Sequence, residues 1–218
     1  LILRKRRRRA TIKKNLVTYA NPDSLISDQF REIRANINFL TETKKNRLFI
    51  ITSPDKGEGK STVTANLAVS MAQQNERILL IDANLREPTM HDIFKIPNNV
   101  GLTNILSGNA SMESAIQRTW ISNLELLTSG TTLTNPAEVL GNTRIADLLN
   151  TTANTYDKVL IDSPPVLTST ETRVLANHCD GVVMVLNRGK TALENTVESR
   201  RVLELARAKI VGAIMNEK

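Results

Sequence analysis

Hydrophobic residues along this chain gather into short, uniformly apolar runs separated by longer stretches with helical spacing. The runs are RLFIIT (47–52), RILLID (77–82), LELLT (124–128), KVLID (158–162), GVVMVLN (181–187) and IVGAIMN (210–216). Each has the length of a strand, and the apolar positions are consecutive rather than alternating. That pattern suits strands buried on both faces, as in a parallel sheet covered by helices. Lys60 to Gln74 reads as a helix with Val63, Leu67 and Met71 on one face, and Thr191 to Ala208 as another. Ahead of the first run, NPDS (21–24) signals a turn. A helix follows it, with Ser24 or Ser27 as candidate cap. Ile26, Phe30, Ile33, Ile37 and Leu40 form its apolar stripe. Asp28, Arg31 and Arg34 are neighbours on another face. The pattern predicts an α/β fold with a mostly parallel central sheet and helices on both faces.

Charge changes this picture at one end only. Of 29 basic residues, eight lie in residues 1–14, which hold no acid; the other 204 residues carry 21 basic and 22 acidic side chains. The net +7 therefore belongs to a tail, and we divide the chain into a basic tail (1–15) and one domain (16–218). Such a tail suits solvent or an anionic membrane surface. No aromatic residue is interleaved among its arginines, which disfavours nucleic acid. The one cysteine, Cys179, excludes an internal disulfide framework and fits a reducing compartment. No apolar run approaches the roughly 18 residues of a membrane span, and the basic run is not followed by the apolar stretch of a signal peptide.

Candidate chemistry lies where the runs end. RLFIIT leads into SPDKGEGKST (53–62), which opens a helix. Unpaired N–H groups of such a loop, with the helix dipole, bind phosphate oxygens. Gly57 and Gly59 would let the backbone approach closely. Lys60 can reach the β- and γ-phosphates, and the Ser61 hydroxyl can ligate Mg²⁺. Pro54 stands where the usual phosphate loop has its first glycine. Two runs end in aspartate, at Asp82 and Asp162. Ligands of parallel sheets bind beyond the carboxyl ends of strands. A carboxylate there can hold a metal, take a proton from an attacking hydroxyl, or cap the next helix.

Taken in order, GEGKST, LLIDANLREPT and VLIDSPPV resemble the Walker A, A′ and B motifs of the bacterial tyrosine kinases (BY-kinases) of capsule and exopolysaccharide synthesis. SDQFREIRANI resembles their oligomerisation helix, and GLTNILSGNAS and NPAEVL resemble stretches between the second and third motifs. The resemblance implies a P-loop NTPase-like fold and transfer of phosphate from ATP, with Mg²⁺, to protein tyrosine. It implies nucleotide contacts from Gly57, Glu58, Gly59, Lys60, Ser61, Thr62 and Arg86, with Asn216 near the adenine. Ser61, Asp82 and Asp162 would surround Mg²⁺, Asp82 being the favoured base; Lys60, Asp82 and Asp162 would be the catalytic set. Asp28, Arg31 and Arg34 would serve ring assembly. A membrane adaptor with a cytoplasmic tail and a tyrosine phosphatase would be partners, and the enzyme would sit in the cytoplasm at the inner face of the membrane.

The chain departs from the family pattern in three places. Asn84 replaces a second aspartate, Asp28 replaces a glutamate, and the usual C-terminal tyrosine cluster has no counterpart in these 218 residues, whose only tyrosines are Tyr19 and Tyr156. The rival reading is a ParA/MinD-like ATPase switch that gives its phosphate to water. The signature lysine of that class would fall at Asp55, beside Lys56. A third is a catalytically weak binding module, for which Asn84 is the main argument.

Overall fold

A computed structural model of the protein describes residues 16–40, 47–131 and 136–217; the basic tail lies outside them. The apolar runs become strands, β1 (Leu48–Thr52), β2 (Ile78–Asp82), β4 (Leu124–Leu127), β5 (Lys158–Asp162), β6 (Gly181–Asn187) and β7 (Ile210–Asn216), joined by a short β3 (Ile116–Arg118). They form one sheet in the order β3-β4-β2-β5-β1-β6-β7. All pairings are parallel except that of β3 with β4.

Helices cover both faces, as the pattern predicted. Within β1, Phe49 and Ile51 join one core group and Leu48 and Ile50 the other, as the period of two requires. The first group includes residues of α1 (Val17–Ala20), α2 (Leu25–Leu40), α3 (Lys60–Ala72) and α4 (Met90–Phe94), or of their flanks. The second takes residues from α5 (Leu102–Leu106), α6 (Met112–Ala115), α7 (Pro136–Leu140), α8 (Arg144–Thr155), α9 (Thr170–Ala176) and α10 (Leu193–Leu205).

Helix α3 is more deeply buried than its stripe of Val63, Leu67 and Met71 indicated: every residue from Val63 to Ala72 is buried. The cause is a second layer. Thr18 of α1 donates its N–H to Asn66 Oδ1 (3.1 Å) and its hydroxyl to the Asn66 carbonyl (3.3 Å). Gln73 Nε2 donates to the Thr18 carbonyl (3.1 Å). Phe30 and Ile37 of α2 are buried, and Ile33 packs partly buried beside them; Ile26 is half exposed, and the Leu40 side chain lies outside the description. Ser24 caps α2, its Oγ accepting the Ser27 N–H (3.3 Å), while Ser27 turns inward and donates to the Asn21 carbonyl (2.7 Å).

What positions the site is the local order β2-β5-β1. It places Asp82, Asp162 and the loop after β1 at three neighbouring strand ends, about 4.8 Å apart from strand to strand.

Candidate active site

The loop from Ser53 to Gly59 turns tightly from β1 into α3. Gly57 and Gly59 hold φ of 75° and 88°, a region that side chains with a Cβ rarely adopt. A Cβ on Gly59 would lie 2.2 Å from Asn216 Nδ2. Asn216, ending β7, donates that amide to the Glu58 carbonyl (2.9 Å) and so braces the loop from the sheet edge. Glu58 is buried, and its Oε1 accepts from the Thr191 hydroxyl (2.7 Å). Burial raises its carboxyl pKa. Pro54 is buried at the foot of the loop, where Ser53 Oγ donates to the Asp55 carbonyl (2.7 Å).

Lys60 opens α3 and is buried at 9% exposure. Beside it, Ser61 Oγ donates to Asp162 Oδ2 (2.7 Å) and Thr64 Oγ1 to Asp162 Oδ1 (3.3 Å). Asp82 and Asp162 stand in register on β2 and β5, both fully buried. Burial raises the pKa of each. The Asp162 charge raises that of Asp82 further, while Lys60, Ser61 and Thr64 hold that of Asp162 back. The first turn of α3, with its hydroxyl donors, therefore meets two carboxyls that resist ionisation together.

Asp82 also closes the following segment. Its Oδ1 accepts the Asn84 N–H (3.2 Å), and its Oδ2 accepts those of Thr89 (3.0 Å) and Met90 (2.9 Å), at the start of α4. Asn84 is buried and holds the same turn, its Nδ2 donating to the Glu87 carbonyl (2.9 Å). An aspartate at 84 could not make that bond and would add a third carboxylate beside the buried pair. Thr62 is exposed on the first turn of α3. Arg86 reaches away to Glu171, Nε to Oε1 at 2.8 Å. Lys56 Nζ bonds Glu87 Oε1 (2.5 Å), and Asp55 is held by Asn195 Nδ2 (2.6 Å). Both residues compared with the ParA/MinD lysine are thus engaged within this chain. A cleft of about 690 Å³ opens beside the loop, between Ile26, Phe30 and Ile33 of α2 and Met215 and Asn216 of β7.

Residues that sequence reasoning missed are Glu171, Glu87, Lys190 and Thr191. Glu171 is buried, takes Arg86 on one oxygen and the Ser169 hydroxyl on the other. Lys190 Nζ donates to the Lys56 carbonyl (2.6 Å). The available signal was topological, since turns after β5 and β6 must open on the same edge as the phosphate loop.

Helix α2 stands apart from this constellation. Asp28 and Arg31 pair on its exposed side, and Arg31 Nη1 also donates to the Pro22 carbonyl (2.8 Å). Arg34 is turned inward to the Ser70 carbonyl and hydroxyl.

Comparison with known proteins identifies the family. A family profile described as an AAA domain matches residues 46–209. The tyrosine-protein kinase YwqD of Bacillus subtilis (strain 168) is 41% identical over 214 residues, covering 98% of this chain and 90% of YwqD. The solved kinase domain of Escherichia coli tyrosine kinase ETK is 30% identical with a TM-score of 0.89, over 93% of this chain and 79% of that one. The chain belongs to the bacterial tyrosine kinases. This BY-kinase shares its P-loop NTPase fold with more distant proteins. The septum site-determining protein MinD of Pyrococcus horikoshii OT3, solved with Mg-ADP, is 27% identical with a TM-score of 0.68, over 78% of this chain and 70% of that one. The kinase reading is thereby favoured over the ATPase switch, and the domain is a protein-tyrosine kinase.

Proposed function

We propose that this BY-kinase carries out transfer from ATP to tyrosine at the edge formed by β1, β5 and β2. The observation that carries the assignment is the buried, in-register pair Asp82 and Asp162 beside Lys60 and Ser61. The loop N–H groups and the Lys60 ammonium would hold the phosphates, where charge stabilisation dominates phosphoryl transfer. Asp82 would take the proton of the attacking tyrosine hydroxyl. The donor set is oxygen throughout, as Mg²⁺ requires. Ser61, Asp82 and Asp162 would hold Mg²⁺, which supplies neutralisation of phosphate charge when bound. The cleft bounded by Asn216 and α2 would take the base. Chelating divalent cations should abolish phosphotyrosine formation on a glutamate–tyrosine copolymer, and excess Mg²⁺ should restore it; unchanged transfer in chelator would contradict the metal assignment.

The physiological setting is proposed from the family. The kinase would regulate capsule or exopolysaccharide synthesis at the inner face of the membrane, with an adaptor tail as activator, a phosphatase as its opponent and rings of subunits as its assembly. Among the described residues no helix is long and apolar enough to cross a membrane, and the basic run at 4–14 suits an anionic surface. For assembly, Asp28 and Arg31 remain on the exposed ridge of α2. An exposed pair inside one chain contributes only about 0–1 kcal/mol, whereas a subunit interface can use it for register. Arg31→Ala should shift the protein towards monomer in light scattering without unfolding it. A wild type that stays monomeric with nucleotide and adaptor tail present would overturn the ring.

A further inference from the structure

The two tyrosines of this chain occupy opposite environments. Tyr156 is 7% exposed, and its hydroxyl donates to Glu125. Burial and that bond raise its pKa. Its oxygen is taken up by Glu125 at the wall of a cleft beside β4. Tyr19 is 50% exposed. Its ring meets Trp120 edge-on, with centroids 4.6 Å apart, and its hydroxyl has no hydrogen-bond partner among the described residues.

Tyr19 is presented, not merely uncovered. The residue before it, Thr18, is clamped to Asn66 and Gln73, and Leu16 is fully buried. Behind it, residues 21–23 form an exposed turn. The turn is held by the Arg31 guanidinium on the Pro22 carbonyl, so the exposed ridge of α2 borders the segment that carries Tyr19.

Its place in the fold also decides which copy could act on it. Helix α3 runs from the phosphate loop to the other end of the sheet, and Gln73, which binds Thr18, follows its last residue. Trp120 precedes β4 and lies at that same far end. Thirteen residues of helix separate Lys60 from that end, roughly 20 Å. Val17 and Asn66 border the cleft beside the chain's own phosphate loop, but the Tyr19 ring itself is held against Trp120 at the opposite end of the sheet.

We infer that Tyr19 is a phosphate-acceptor site of this kinase, modified in trans by a second copy. In the step, Tyr19 Oη attacks the γ-phosphorus of ATP bound to the other copy. The Oη–P bond forms, the bond from the γ-phosphorus to the β–γ bridging oxygen breaks, ADP leaves, and the phenolic proton passes to that copy's base. The product carries about −1.5 to −2 charge at the C-terminal end of α1, where helix polarity disfavours an anion. Modification would therefore loosen the one-turn helix and its contact with Trp120.

The inference rests on the proposed active site, and the test separates the two. The full chain is incubated with ATP and Mg²⁺ alongside a glutamate–tyrosine copolymer, and phosphopeptides are mapped by mass spectrometry. Phosphate is expected on Tyr19 and not on Tyr156. Tyr19→Phe keeps the ring against Trp120, and should lose at least nine-tenths of the phosphotyrosine on this chain while copolymer labelling stays within twofold. Mixing Lys60→Met, as acceptor, with active Tyr19→Phe should label Tyr19 of the Lys60→Met copy. An enzyme that labels the copolymer but leaves Tyr19 unmodified overturns the inference alone. An enzyme that labels neither overturns the proposed active site and this inference with it.

Discussion

Lys60→Met should lower phosphoryl transfer by roughly a hundredfold or more, as removal of one aimed charge-stabilising donor does elsewhere, while the protein still melts cooperatively. Lys60 is buried at the first position of α3. Burial raises the Asp162 carboxyl pKa, and the Lys60 ammonium holds that rise back. Methionine has a similar length and no charge, so it fills the space and leaves the transferring phosphate uncompensated. The checks are initial rates of phosphotyrosine formation and circular dichroism melting on the same preparations. A folded variant with wild-type rates would remove Lys60 from the chemistry and with it the phosphate role of the loop.

A second replacement should move activity and stability in opposite directions. Asp162→Asn keeps its hydrogen bonds: the side-chain oxygen can still accept from Ser61, and the new amide can donate to Thr64 Oγ1, which can turn its own proton to the Lys60 carbonyl (2.8 Å). What disappears is one of two carboxyls buried side by side. Transfer should fall at least a hundredfold, because the proposed Mg²⁺ site would lose one of its carboxylates. In chelated, nucleotide-free buffer the fold should gain about 1 kcal/mol, a rise of about 2–4 °C in melting temperature. The pH dependence has a definite sign. Folding raises the pKa of Asp82 and Asp162, so the pair contributes stability below the unfolded carboxyl pKa and loses it as pH rises through the folded value. The variant's advantage should therefore widen from about pH 5 to about pH 8. A lower melting temperature than wild type at both would show that the charge pair does not strain the free enzyme.

The parts of this protein legible in the sequence are those set by burial along one segment. Strands buried on both faces announce themselves as unbroken apolar runs, and the aspartates ending two of them were recognisable as edge residues. Strand order was not recoverable from the residues themselves, yet β2-β5-β1 is what sets Asp82 beside Asp162. Strand β3 escaped notice because its three residues are half-buried or exposed and its pairing with β4 defines it. The burial of α3 all round was hidden for a related reason, since the covering layer starts over forty residues earlier at Thr18. Arg34 shows the limit most plainly. Its spacing puts it with Asp28 and Arg31, but Ser70, remote in sequence, takes it inward. Asp82 caps the start of α4 with one oxygen, the structural alternative its position offered, and ends β2 beside Asp162.

The central claim is that the γ-phosphate leaves this site for a tyrosine hydroxyl, not for water. The direct measurement is the partition of label from γ-labelled ATP between phosphotyrosine and free phosphate, with Mg²⁺ and a tyrosine copolymer in excess. Label in phosphotyrosine, lost in both Lys60→Met and Asp162→Asn, is the result this account predicts. Label released wholly as free phosphate by a protein that turns ATP over would contradict it.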